Sequence, residues 1–142
     1  MMTPGPRNGT APRLDGVRVL IADDAPDVRE AVSATLASAG AAVIAVDSAE
    51  AALIALKAER PDVLVSDISM PDKGGYWLIG EVRALPPEHG GATPAAALTA
   101  LTGPVHCARL LGAGFQYHLE KPFGLMELVG VVAILALKDG MR

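Results

Sequence analysis

The chain has one cysteine, Cys107, among 142 residues. No internal disulfide can form from it, and no thiolate metal cluster can be built from this chain alone, which fits a reducing cytoplasm. Aromatic residues make up only 4% of the chain, while 51% is hydrophobic. The apolar mass is therefore mostly Ala, Val, Leu and Ile, as expected of an aliphatic α/β core, and wholesale disorder is excluded. Positive charge is also short: 12 Lys and Arg stand against 16 Asp and Glu, for a net charge of −4. Affinity for phosphate backbones comes from clustered Lys and Arg, so nothing points to binding of nucleic acid. Long hydrophobic runs are missing too. The longest, Leu125 to Leu137, is interrupted by Glu127 and is too short to cross a bilayer, so no membrane role is expected. Residues 1–15, rich in Pro, Gly and polar side chains, lack the apolar core of a secretory signal and are expected to form a flexible tail ahead of one domain, 16–142.

What is present is a regular alternation. Val17–Ala22 is a β-prone run ending at Asp23 and Asp24; Pro26 then suits the first turn of a helix to about Ala39. Ala42–Val46 reads as a buried strand, and Ser48 caps a helix that Pro61 breaks. A third strand runs from Asp62 to Asp67, and a turn over Met70–Gly75 leads into a helix to about Ala84. After a Pro/Gly-rich connection, strands over Ala95–Thr99 and Tyr117–Glu120 alternate with helices over Pro104–Leu111 and Leu125–Lys138. Five β-then-α units imply parallel strands, right-handed crossovers and helices on both faces.

In open sheets of this kind, function collects beyond the carboxyl ends of the strands. Asp23, Asp24, Asp67, Thr99 and Lys121 all fall there. Three carboxylates brought together repel one another unless a divalent cation compensates them, and hard oxygen ligands favour magnesium over zinc. His89, His106 and His118 have no metal-ligand spacing with one another or with Cys107. A carboxylate beside such a cation can attack phosphorus to give an acyl phosphate, with Lys121 and Thr99 as donors to the transferring group. Asp67 ends the central strand and is the best nucleophile candidate.

The runs Ile21-Ala22-Asp23-Asp24, Asp67-Ile68-Ser69-Met70-Pro71, Gly75, Ala97-Leu98-Thr99-Ala100 and Lys121-Pro122-Phe123 together resemble the successive signatures of response-regulator receiver domains. The resemblance spans about Val17 to Lys138. It implies a flavodoxin-like, doubly wound α/β fold, a single five-stranded parallel sheet of order 2-1-3-4-5 flanked by five helices. It also implies phosphorylation of Asp67 by a histidine kinase or histidine phosphotransfer protein, Mg2+ held by Asp23, Asp24, Asp67 and the Ser69 carbonyl, and phosphoryl contacts from Thr99 and Lys121. His118, three positions before the lysine, falls at the switch position, and the run Gly114 to Lys121 is similar to receivers attached to hybrid sensor kinases. The implied protein is a switch in two-component signal transduction, not a turnover enzyme.

Two rivals stand beside that reading. An aspartyl-phosphate phosphatase or phosphotransferase usually has a second acid two places after the nucleophile, where this chain has Ser69. A phosphorylation-independent pseudo-receiver would have lost one of the acidic, hydroxyl or lysine positions. Cys107 reads as a small helix residue without a redox role, and Tyr76-Trp77 as helix packing. In the last helix, Leu125, Met126, Leu128, Val129, Val131, Val132, Ile134, Leu135 and Leu137 exceed one amphipathic stripe, which points to an interface, with a second copy in a homodimer or with a kinase-side partner.

Overall fold

The computed structural model describes residues 12–140. Strands β1 (Arg18–Ala22), β2 (Ala42–Val46), β3 (Val63–Asp67), β4 (Ala95–Thr99) and β5 (Tyr117–Glu120) alternate with helices α1 (Pro26–Ser38), α2 (Ala49–Glu59), α3 (Gly75–Arg83), α4 (Pro104–Ala113) and α5 (Leu125–Gly140). All strand pairs are parallel, in the order β2-β1-β3-β4-β5. This is the flavodoxin-like arrangement that the resemblance implies.

The continuous apolar runs of the central strands conceal an alternation of period two, because each face of the sheet has its own helical cover. Val19, Ile21, Val63, Val65, Ala96, Leu98 and Leu119 pack against Val32 and Leu36 of α1 and Leu128, Val129, Val132 and Leu135 of α5. Leu20, Leu64, Ala95 and Ala97 point the other way, against Ala52 and Leu56 of α2, Leu78, Ile79 and Val82 of α3, and Leu110 of α4. The central strands β3 and β4 are buried throughout; the edge strands β2 and β5 are not.

Local signals account for most boundaries. Ser48 Oγ accepts the Ala51 N–H at 3.1 Å and caps α2, while Pro26 and Pro104 open α1 and α4. Helix α2 ends at Glu59 and is capped by Arg60, just before Pro61, with a left-handed φ of 49°. The strand over 62–67 begins at Val63, since Asp62 turns to accept the Arg18 N–H at 2.9 Å. The Pro/Gly-rich connection contains a single 3₁₀ turn, Pro87–His89.

The expectation of a flexible tail through Asp15 needs correction at its inner end. Leu14 is 1% exposed in the α1/α5 core, and its N–H donates to the Ala39 carbonyl at 2.7 Å. Arg13 pairs with Asp15 and reaches the Ser38 carbonyl. An apolar side chain with an apolar core within reach stays buried even in a polar stretch. The rest of the expected tail, residues 1–11, lies outside the described residues. In α5, Leu128, Val129, Val131, Val132 and Leu135 are buried, whereas Leu125, Met126, Ile134 and Leu137 are exposed. Among the described residues no helix is long and apolar enough to cross a membrane.

Candidate functional site

The carboxyl ends of β1, β3, β4 and β5 each contribute a different piece of the site. Beyond β1, Asp23 is fully buried and Asp24 exposed. The Asp23 N–H donates to the Val46 carbonyl at 3.1 Å, its own carbonyl accepts from Arg29, and its Oδ1 accepts the Ala25 N–H at 2.9 Å. Backbone and side chain are thus both tied down. At the end of β3, Asp67 is 4% exposed, and its Oδ1 takes the Ser69 N–H at 3.3 Å and the Lys121 ammonium at 3.1 Å. Lys121 follows β5 and is held by its N–H donating to the Thr99 carbonyl at 2.8 Å; its bond to Pro122 is cis. Thr99, the last residue of β4, is 1% exposed.

Gly74 and Gly75 let the turn after Asp67 close on itself. The Gly75 N–H donates to the Ile68 carbonyl at 2.9 Å. A Cβ on Gly75 would stand 2.7 Å from the Asp67 carbonyl oxygen, and one on Gly74 would stand 2.5 Å from that of Ile68. The sequence marks Gly75 only as a motif position; the close approach explains the residue.

The three aspartates offer carboxylate oxygens that all lie within 4.8 Å of one another. Burial raises the Asp23 carboxyl above its ordinary range against the lowering pull of the Ala25 N–H; Asp67 and Asp24 add to the rise and Lys121 opposes it. The Asp23 Oδ2 atom is buried with no hydrogen-bond partner. An unsatisfied buried carboxylate oxygen is costly, and one lysine cannot balance three carboxylates. A divalent cation with a preference for hard oxygen would satisfy both, and the donor set, all oxygen without sulfur or imidazole, fits magnesium.

The structure therefore brings Asp23, Asp24, Asp67, Thr99 and Lys121 to one edge of the sheet, with Ser69 in the turn beside Asp67. Two neighbours of the site escape the reading of the sequence. His106, in the first turn of α4, lies with its Nε2 2.9 Å from Thr99 Oγ1. Cys107, next to it and expected to be a plain helix residue, has its Sγ 3.1 Å from Nε2 of the half-buried His118. A usable signal was there: the amino end of a helix after a parallel strand faces the carboxyl edge of the sheet, so polar residues in that first turn are candidates by topology.

An open doubly wound sheet with carboxylates, a hydroxyl and a lysine at its switch-point edge defines the class of protein. The chain belongs to the response regulator receiver domain family, whose model matches residues 19–133. It is 40% identical over 114 residues to an uncharacterised 14.6 kDa protein of Leptolyngbya boryana, covering 80% of this chain and 86% of that one. It is 36% identical to the response regulator protein FleR of Pseudomonas aeruginosa over 84% of this chain, but spans only 24% of FleR. Among solved structures, the chemotaxis response regulator CheY4 of Vibrio cholerae superposes with a TM-score of 0.78 at 30% identity, covering 84% of this chain and 98% of that one. The receiver domain of a Pseudomonas aeruginosa sensor histidine kinase, solved with magnesium coordinated in its active site cleft, has a TM-score of 0.77 at 30% identity, covering 85% and 98% of the two chains.

Proposed function

We propose that this receiver domain is a phospho-accepting switch of a two-component pathway in the cytoplasm, with Asp67 as the acceptor and a phosphohistidine on a histidine kinase or histidine phosphotransfer protein as the donor. The observation that carries the reading is the cluster itself: three carboxylates within 4.8 Å, one of them with a buried unpartnered oxygen, beside a lysine 3.1 Å from Asp67. Asp23, Asp24 and Asp67, with the Ser69 carbonyl, would hold Mg2+. When bound, the ion supplies Lewis-acid neutralisation of charge on the phosphoryl oxygens.

The chain's own residues do the rest. Lys121 and the Ser69 N–H both act on Asp67 Oδ1, fixing the carboxylate plane; among the described residues Oδ2 receives no hydrogen bond and keeps its lone pairs for attack. Asp67 attacks phosphorus, the bond from phosphorus to the donor's imidazole nitrogen breaks, and the imidazole leaves with the bonding pair and takes a proton. Lys121 then pairs with the phosphoryl oxygens and Thr99 donates its hydroxyl to one of them. Water later hydrolyses the acyl phosphate, so the chain acts as a switch with a lifetime and not as a turnover enzyme. His118 on β5 is the switch side chain, and the exposed Leu125, Met126, Ile134 and Leu137 of α5 are the surface for a homodimer.

The test is incubation with acetyl phosphate or phosphoramidate, with and without magnesium, read by intact mass and peptide mapping. Asp67 gains one phosphoryl group only with magnesium, Asp67→Asn gains none, and Lys121→Ala reacts on the order of 100-fold more slowly. Sedimentation of the same samples reads the dimer. Modification without the metal, or in the Asp67→Asn protein, would sink the assignment.

A further inference from the structure

Between Thr99 and His106 runs a loop, Ala100 to Gly103, that is exposed at every position. What closes this loop is the Thr99 hydroxyl. Its Oγ1 accepts the Leu101 N–H at 3.1 Å and lies 2.9 Å from His106 Nε2. A hydroxyl carries one proton and two lone pairs, and at 1% exposure that proton needs a protein acceptor. Among the described residues, the acceptor within reach is His106 Nε2. Thr99 donates to it in the tautomer that carries the ring proton on Nδ1 and leaves Nε2 as the acceptor.

We infer that His106 is a positioning residue which holds the Thr99 hydroxyl proton in the unphosphorylated protein and competes for it with a phosphoryl group on Asp67. The inference rests on the phospho-acceptor reading above, and adds to it a side chain that sets how readily the acceptor is charged. A hydroxyl has one proton to donate, so Thr99 cannot serve His106 and a phosphoryl oxygen together. Engagement of the phosphoryl group breaks the contact that closes the loop and frees the first turn of α4. The same turn carries Cys107, in contact with His118, so release at Thr99 is felt one residue away at the switch side chain.

The experiment compares phosphorylation rates of the full chain with acetyl phosphate and magnesium, followed by intact mass. His106→Ala and His106→Leu both remove the acceptor; the first favours the helix and the second keeps most of the volume, so agreement between them excludes a packing artefact. Both are expected to phosphorylate about fivefold faster than wild type, the scale of one neutral hydrogen bond. In a Thr99→Ala background the substitutions at 106 should change nothing, whereas Thr99→Ser, which keeps the hydroxyl, should preserve the gain. Helix loosening would move the rate in both backgrounds, so a gain that persists with Thr99→Ala overturns the inference. Unchanged or slower rates in both His106 variants also overturn it, while wild-type phosphorylation of Asp67 leaves the parent reading intact. If wild type itself is not phosphorylated, the parent reading fails and this one with it.

Discussion

At the amino ends of the strands three arginines are spent on backbone carbonyls; at the carboxyl ends three aspartates are left facing one another. Arg83 donates to the Gly91 carbonyl at 2.8 Å and, through two nitrogens, to the Gly114 carbonyl at 3.1 and 2.8 Å. Arg60 reaches the Glu88 carbonyl at 2.6 Å, and Arg18 the Glu59 carbonyl. Helix C-termini gather at this end, so guanidinium groups meet acceptors that the helices and loops leave open. At the other end Asp23 buries an oxygen with no partner, and its carboxyl is raised chiefly by burial. At the first end the guanidinium groups find their acceptors within the chain; at the second a buried carboxylate oxygen is left without a partner.

The difference can be broken at the arginine end with the largest effect. Arg83→Ala leaves carbonyls of two loops without donors and should lower unfolding free energy by about 2–3 kcal/mol in urea denaturation. The acidic end should respond in the opposite direction. Asp23→Asn keeps an acceptor for the Ala25 N–H but removes the buried charge, and should raise the melting temperature of the metal-free protein by roughly 3 °C. Because the folded Asp23 carboxyl lies above its unfolded value, the folded state holds more protons in that interval. Its contribution to stability is full below the unfolded value and is lost as pH rises through the folded one. Metal-free wild type should thus lose stability upward from the ordinary carboxylate range, and Asp23→Asn should flatten that slope; an unchanged slope would show that Asp23 is not its source. The smallest effect is Glu59→Gln, whose pair with Arg18 is about half exposed on both sides, and a change beyond about 0.5 kcal/mol would show that this exposed pair, and not only the guanidinium–carbonyl bonds, holds the arginine end together.

Much of this was legible in the chain. Period-two and helical patterning, Ser48 as a cap and the prolines at helix starts placed ten elements to within a few residues, because those signals act between near neighbours. The acidic cluster was legible for a related reason: each member lies where an apolar strand run ends, and parallel topology sends all such residues to one edge. The burial of Leu14 was not, since the composition around it is that of a tail and only packing against the core beside Ala39 decides its place. Nor was the Arg83 clamp, which joins the end of α3 to loops before β4 and β5.

The sequence by itself determined which residues end the strands, and through the β-α alternation that they meet. It did so because backbone propensity and side-chain periodicity are local, and handedness carries them into topology. Tertiary structure alone decided which of the meeting groups touch: that Lys121 lies on Asp67 Oδ1, that Asp23 keeps one oxygen unpaired, that Thr99 Oγ1 meets His106 Nε2, and that Cys107 reaches His118. Hydrogen bonds depend on tenths of an ångström and on burial, and both are set by how helices seat on the sheet.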